Sequence, residues 1–142
     1  MPANGGNLDS FTSEYGSGWV ASNLTNGVTD EDGWCSKYNP APQQEFIFSF
    51  LDGNNATLVG AVIHGGTAEG RYYSEDVEVW TSVNGTSFTL RGGSTLADSS
   101  GSTVTVNLTG IVAKKIKLVV TSGYEPDYWE LAEFEVYGEV ID

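Results

Sequence analysis

A chain of 142 residues suits one domain, long enough for a single core that hides about two thirds of the unfolded surface. Its formal charge of −13, six basic residues against nineteen acidic, excludes nucleic acid and disfavours anionic lipid as partners, because both are held by Lys and Arg. Eighteen glycines among many Ser, Thr and Asn describe short strands joined by turns and predict an all-β fold.

Residues 1–7 read as a flexible tail, 8–138 as the module and 139–142 as a second tail. Cys35 has no second cysteine, so no intrachain disulfide forms, and it is expected to be a half-buried thiol. Phe46, Phe48 and Phe50 share one face of a strand that ends at Asp52-Gly53-Asn54-Asn55. The next strand, Ala56 to His64, delivers the only histidine to its exit before Gly65-Gly66. Asp76 to Ser82 alternates with its acids and Trp80 outward, and Asn84-Gly85 signals a hairpin whose return strand is expected over Thr86 to Leu90. Gly92 to Ser102 reads as a mobile loop. Val104, Val106 and Leu108, then Ile116, Leu118 and Val120, point inward, with Lys115 and Lys117 outward. The last strand, Tyr128 to Gly138, is apolar on one face and acidic on the other. About eight strands at this spacing predict a β-sandwich with both termini at one end and no helix beyond single turns. No apolar run reaches the roughly 18 residues of a membrane helix.

The ordered set Ala21-Ser22-Asn23-Leu24-Thr25-Asn26-Gly27, Gly33-Trp34-Cys35-Ser36, Pro42-Gln43, Val77-Glu78-Val79 with Ser82 and Asn84-Gly85, Ala113 to Val120 and Glu130 to Gly138 resembles the discoidin, or coagulation-factor C-terminal (F5/8 type C), domain, including family 32 carbohydrate-binding modules. The likeness spans residues 8 to 138 and implies a jelly-roll β-sandwich of the galactose-binding type, non-catalytic and part of a larger secreted or cell-surface protein. Two departures stand out: Asn26 where the family usually has Asp, and a Gly27 to Trp34 segment one residue longer.

The resemblance also implies a structural calcium ion. A hard cation takes six to eight oxygens, and the implied ligands are the carbonyls of Asn23, Val28 and Ala132, the side chain of Asn26, an acid at Asp30 or Asp32, with Asp32 preferred, and the carboxylate of Glu133. For a glycan, aromatic faces and a few fixed polar groups are needed. By resemblance His64 and Tyr124 or Tyr128 would meet the sugar. Tyr72 and Trp129 lie on the same loops, and the arginine would be Arg71 or Arg91. Trp19 and Trp80 are expected to pack, and Trp34 and Trp129 compete for the same role.

The sequence therefore predicts a calcium-containing, monomeric carbohydrate-binding module that binds a glycan or polysaccharide and serves adhesion or enzyme targeting. A protein-interaction or spacer module of the same fold is the alternative. An enzyme is not expected. Glu130 and Glu133, or Asp127 and Glu130, lie along one strand, whereas glycosidases hold two carboxyls about 5 to 9.5 Å apart across a cleft.

Overall fold

The computed structural model describes residues 6–31, 33–67 and 72–141, which form ten β-strands and two short 3-10 helices. The strands are β1 (Asn7–Phe11), β2 (Trp34–Cys35), β3 (Gln44–Ser49), β4 (Ala56–Gly65), β5 (Asp76–Ser82), β6 (Thr89–Thr95), β7 (Thr103–Asn107), β8 (Val112–Ala113), β9 (Lys115–Val120) and β10 (Glu130–Val140). One antiparallel sheet runs β1-β3-β9-β5-β6; the other runs β2-β10-β4-β7, with β8 pairing along β4. The two face each other as the all-β jelly-roll sandwich that the alternation predicts. No helix among the described residues is long and apolar enough to cross a membrane.

Period-two patterning builds the core. Phe46 and Phe48 of β3, Val77 and Val79 of β5, and Ile116, Leu118 and Val120 of β9 meet Leu58 and Ile63 of β4, Val106 of β7, and Phe134 and Val136 of β10. Burying each large apolar side chain contributes about 1.5–3 kcal/mol. Phe48 and Phe134 bridge the sheets with ring centroids 5.5 Å apart. Trp34 meets Phe46 edge to face at 4.7 Å and donates its indole N–H to the Ser13 carbonyl at 2.8 Å, so this tryptophan is core.

Ten strands replace the expected eight because β2 and β8 have two residues each, too few for any period to show. The hairpin return begins at Thr89 rather than Thr86 and runs into the segment expected to be a loop, ending at Thr95. Glycine makes this possible: a Cβ on Gly92 would stand 2.9 Å from Val106 Cγ1, and one on Gly93 2.9 Å from the Val77 carbonyl oxygen. The sheets also extend past both expected module boundaries, with Asn7 paired to Ser49 and Val140 to Ala56. These two pairs flank the same turn, so β1 begins and β10 ends at one end of the sandwich.

One irregularity positions functional groups. Leu131 pairs with Gly65 and Glu133 with His64, so Ala132 is a β-bulge. The bulge shifts the side-chain parity: Leu131 and Phe134 both enter the core, while Glu133, Glu135 and Tyr137 share the outer face with His64.

Candidate functional site

Four segments meet at the end of the sandwich where β10 begins. The Ser36 N–H donates to the Trp129 carbonyl at 2.8 Å and the Asn39 N–H to the Asp127 carbonyl at 2.7 Å. On the other side the Glu130 N–H donates to Tyr72 at 2.8 Å and the Tyr124 N–H to Tyr73 at 3.0 Å, while the Tyr15 N–H reaches the Cys35 carbonyl at 2.7 Å. These backbone bonds set five aromatic rings side by side. Tyr128 is central, with its ring centroid 5.1 Å from Tyr72, 5.6 Å from Tyr15 and 5.7 Å from Tyr38, each packed edge to face. Tyr15 in turn meets Trp19 at 5.7 Å and 82°. A tight turn at Gly16 and Gly18, both at positive φ, folds Trp19 back so that its N–H donates to the Gly16 carbonyl at 3.0 Å.

Edge-to-face contacts leave ring faces open to solvent. Tyr38 is 65% exposed, Tyr15 50% and Trp19 40%, making an apolar shelf at one end of a strongly acidic molecule. Desolvation, followed by the neighbouring Tyr15, Cys35, Tyr72 and Asp127, raises the pKa of Tyr128, so its phenol is neutral at physiological pH and offers a donor beside the ring. Trp129, next to Tyr128 in the chain, is buried in the core against Gly123, where a Cβ would come within 2.2 Å of its ring.

A second cluster lies where residues 21–28 and Gly33 cover the outer face of β10. The 3-10 helix Ala21–Thr25 buries Ala21 and Leu24, and Asn23 donates its amide to the carbonyls of Gly18 and Gly33 at 2.6 and 2.8 Å. Gly33 presses on the bulge: a Cβ there would lie 2.2 Å from the Ala132 carbonyl oxygen. Glu133 is 2% exposed, accepts the Gly27 N–H on Oε2 at 2.7 Å, and leaves Oε1 without a hydrogen-bond partner among the described residues. Burial pushes its pKa up to about 7, against the opposing pull of the Gly27 and Asn26 N–H groups. A buried carboxylate with an orphaned oxygen costs free energy unless a cation meets it.

The family model for the F5/8 type C domain matches residues 9–134. The chain belongs to the F5/8 type C domain family. The family 32 carbohydrate-binding module of NanJ from Clostridium perfringens, solved in complex with galactose, is 23% identical with a TM-score of 0.76, covering 92% of each chain. A second Clostridium perfringens module, CBM32-5, in complex with GalNAc-β-1,3-galactose, is 22% identical with a TM-score of 0.76, covering 93% of this chain and 94% of that one. Chitosan-binding module 1 of a chitosanase/glucanase from Paenibacillus sp. IK-5 is 22% identical with a TM-score of 0.73, covering 91% of this chain and 92% of that one. A comparison with curated proteins finds no match. These likenesses establish that this F5/8 type C domain has the galactose-binding-like fold.

Within the domain the residues expected at the sugar site separate. Tyr72 and Tyr128 come together on the shelf. Tyr124 donates its hydroxyl to the Leu96 carbonyl at 2.5 Å, and Trp129 is buried in the core. His64 directs Nε2 to Glu135 Oε1 at 2.5 Å; Glu135 pairs with Val62, two residues further from the shelf end of β4, so the ring turns back along the sheet. Arg91 lies on β6 in the opposite sheet and donates Nε to Thr81 Oγ1 at 2.8 Å. Arg71 lies outside the described residues.

Sequence reasoning passed over Tyr15, Tyr38 and the exposure of Trp19. The signal for the first and last was Tyr15-Gly16-Ser17-Gly18-Trp19, two aromatics across a glycine turn; nothing local marks Tyr38. Of the residues expected at the metal, Asn23, Asn26, Ala132 and Glu133 are joined through the contacts around Gly27 and Gly33. Val28 donates its N–H to Asn26 Oδ1 at 2.9 Å, and exposed Asp30 accepts the Thr67 hydroxyl on its carbonyl at 3.4 Å. Asp32 lies outside the described residues. No group of three or more His, Cys, Asp or Glu side chains that could hold a metal occurs among the described residues.

Proposed function

We propose that this domain is a non-catalytic carbohydrate-binding module of a secreted or cell-surface multidomain protein, with its sugar site on the tyrosine shelf. The observation that carries the reading is the exposed edge-to-face cluster around Tyr128 on this fold. The apolar C–H face of a pyranose lies against a tyrosine or tryptophan face, and phenol hydroxyls supply orienting hydrogen bonds. A neutral sugar suits a surface whose whole-molecule charge is −13. Such open surfaces bind single sites weakly, and tethering to further modules raises the effective affinity.

The orphaned Glu133 Oε1 fits a structural calcium ion better than a bare surface turn. Glu133 would supply the carboxylate, with the carbonyls of Asn23, Val28 and Ala132 and the side chain of Asn26 as the oxygen-rich remainder and an acid at Asp30 or Asp32 completing the set. The ion would supply charge compensation and hold the covering loop, and no chemistry of substrate.

Calorimetric titration of galactose-type, glucose-type and uronic-acid oligosaccharides tests the sugar site. Saturable binding of a neutral sugar that weakens several-fold in Tyr128→Ala or Tyr38→Ala supports it. No saturable heat for any of them would assign the shelf to a protein partner instead.

A further inference from the structure

The shelf is an open row of rings rather than a closed cup. From Tyr38 through Tyr128 and Tyr15 to Trp19 the centroids are spaced 5.7, 5.6 and 5.7 Å. Among the described residues Tyr38 has no ring contact with Tyr15 or Trp19, so the row does not close on itself. Its exposed members are separated by half-buried Tyr128: Tyr38 is 65% exposed, and beyond Tyr128 lie Tyr15 at 50% and Trp19 at 40%. Successive ring planes along the row are turned by 67°, 75° and 82°. A pyranose stacks by laying one apolar C–H face flat on an aromatic face, and neighbouring rings turned this far offer it no common plane. Tyr38 and the rings beyond Tyr128 therefore suit different sugars. The row is also held by the backbone: the bond from the Asn39 N–H to the Asp127 carbonyl, at 2.7 Å, ties the Tyr38 segment to the Tyr128 loop, and the bond from the Tyr15 N–H to the Cys35 carbonyl, at 2.7 Å, fixes the other end. A ligand that spans it meets rings already in place and orders little on binding.

We propose that the shelf binds an internal run of a polysaccharide, at least three consecutive neutral sugars, with Tyr38 and the Tyr15–Trp19 pair as separate stacking subsites on either side of Tyr128. The inference rests on the reading of the shelf as the sugar site and adds what that site selects, a stretch of chain rather than a single terminal sugar. Successive pyranoses of a linear glycan are spaced by one sugar length, a step of the same order as the spacing of these rings. Tyr128, between the two platforms, offers its phenol hydroxyl to the sugar that joins the stacked ones. A chain with a carboxylate or sulfate on each unit is disfavoured, because its repulsion from a protein of charge −13 grows with every unit bound.

The test is calorimetric titration of the full chain with β-1,4-linked oligomers of galactose, glucose and N-acetylglucosamine, each from the monosaccharide to the hexasaccharide. In at least one series affinity should rise by about tenfold or more from monosaccharide to tetrasaccharide and then level off, a larger gain than a longer chain obtains by offering more copies of one unit. Tyr38→Ala and Trp19→Ala, at opposite ends of the row, should each lower tetrasaccharide affinity about fivefold, and the double variant should lose the product of the two. A monosaccharide bound by the wild type as tightly as the tetrasaccharide would overturn the proposal and leave the shelf a site for one terminal sugar. A rise with chain length that persists in the folded double variant would place the chain elsewhere and overturn it as well. No binding in any series would remove the sugar reading itself, and this inference with it.

Discussion

Aromatic rings cluster on the outer face of one sheet and at one end of the sandwich, and the two clusters differ in what covers them. On the outer face of the β5–β9 pair, the Lys117 ammonium lies 4.9 Å from the Trp80 ring centroid and 4.9 Å from that of Phe88. Lys117 also pairs with Glu45 at 3.8 Å, and the Trp80 indole donates to Glu78 at 3.1 Å. There the ring faces and polar edge already have partners within the sheet. At the sandwich end, Tyr15, Tyr38, Tyr72 and Tyr128 contact one another through edges. An aromatic face serves a ligand only if the fold leaves it unclaimed, and that separates the shelf from the sheet.

The largest expected effect overpacks the core beside the shelf. In Gly123→Ala the new methyl would meet the Trp129 ring at 2.2 Å, and overpacking of this kind costs about 3 kcal/mol. Denaturant unfolding should show that loss, and any surviving folded protein should bind sugar more weakly. If stability were unchanged, the Trp129 ring would not be held fixed against Gly123.

Next comes the pH dependence of the Glu133 turn. Its folded pKa of about 7 lies above the ordinary 4.5, so between these values the folded state binds more protons than the unfolded state. The contribution of Glu133 to stability is therefore full below about 4.5 and is lost as pH rises through about 7. In chelator, thermal unfolding of the wild type should show this loss, while Glu133→Gln should lack it. Calcium should raise the wild-type melting temperature above neutral pH and flatten the trend. An identical pH profile in wild type and variant would remove Glu133 as its source.

A smaller change distinguishes the two aromatic regions directly. Tyr128→Ala should lose about 1 kcal/mol of sugar affinity, whereas Trp80→Ala should leave affinity unchanged although it loosens the sheet face. Equal losses in both variants would dissolve the distinction between them. The smallest effect is expected for Lys117→Met, which removes a cation from two rings and should cost about 0.5–1 kcal/mol of stability with no change in binding.

Strong periodicity made β5 and β9 legible to the residue, and nearly so β3, β4 and β10. Gly92 and Gly93 were misread because glycine signals a loop in sequence, while here its lack of a side chain lets β6 approach Val106 and the Val77 carbonyl. The acids of the last strand were visible, but not the bulge at Ala132 that hides Glu133 and leaves Glu135 to His64. Tyr38 could not be chosen locally, since it gains its neighbours through a backbone bond between Asn39 and Asp127, far apart in the chain.

Composition and alternation by themselves determined the fold class and the inward residues, because a side chain's face in a strand follows from its parity and its burial from its polarity. The ordered short segments carried the family. What only the tertiary structure decided is which polar and aromatic groups are still available for a ligand. Trp34 and Trp129 went to the core, Trp80 to Lys117, and His64 to Glu135. Four loops remote in sequence left the Tyr128 rings facing water, because such availability depends on packing between segments that no local pattern encodes.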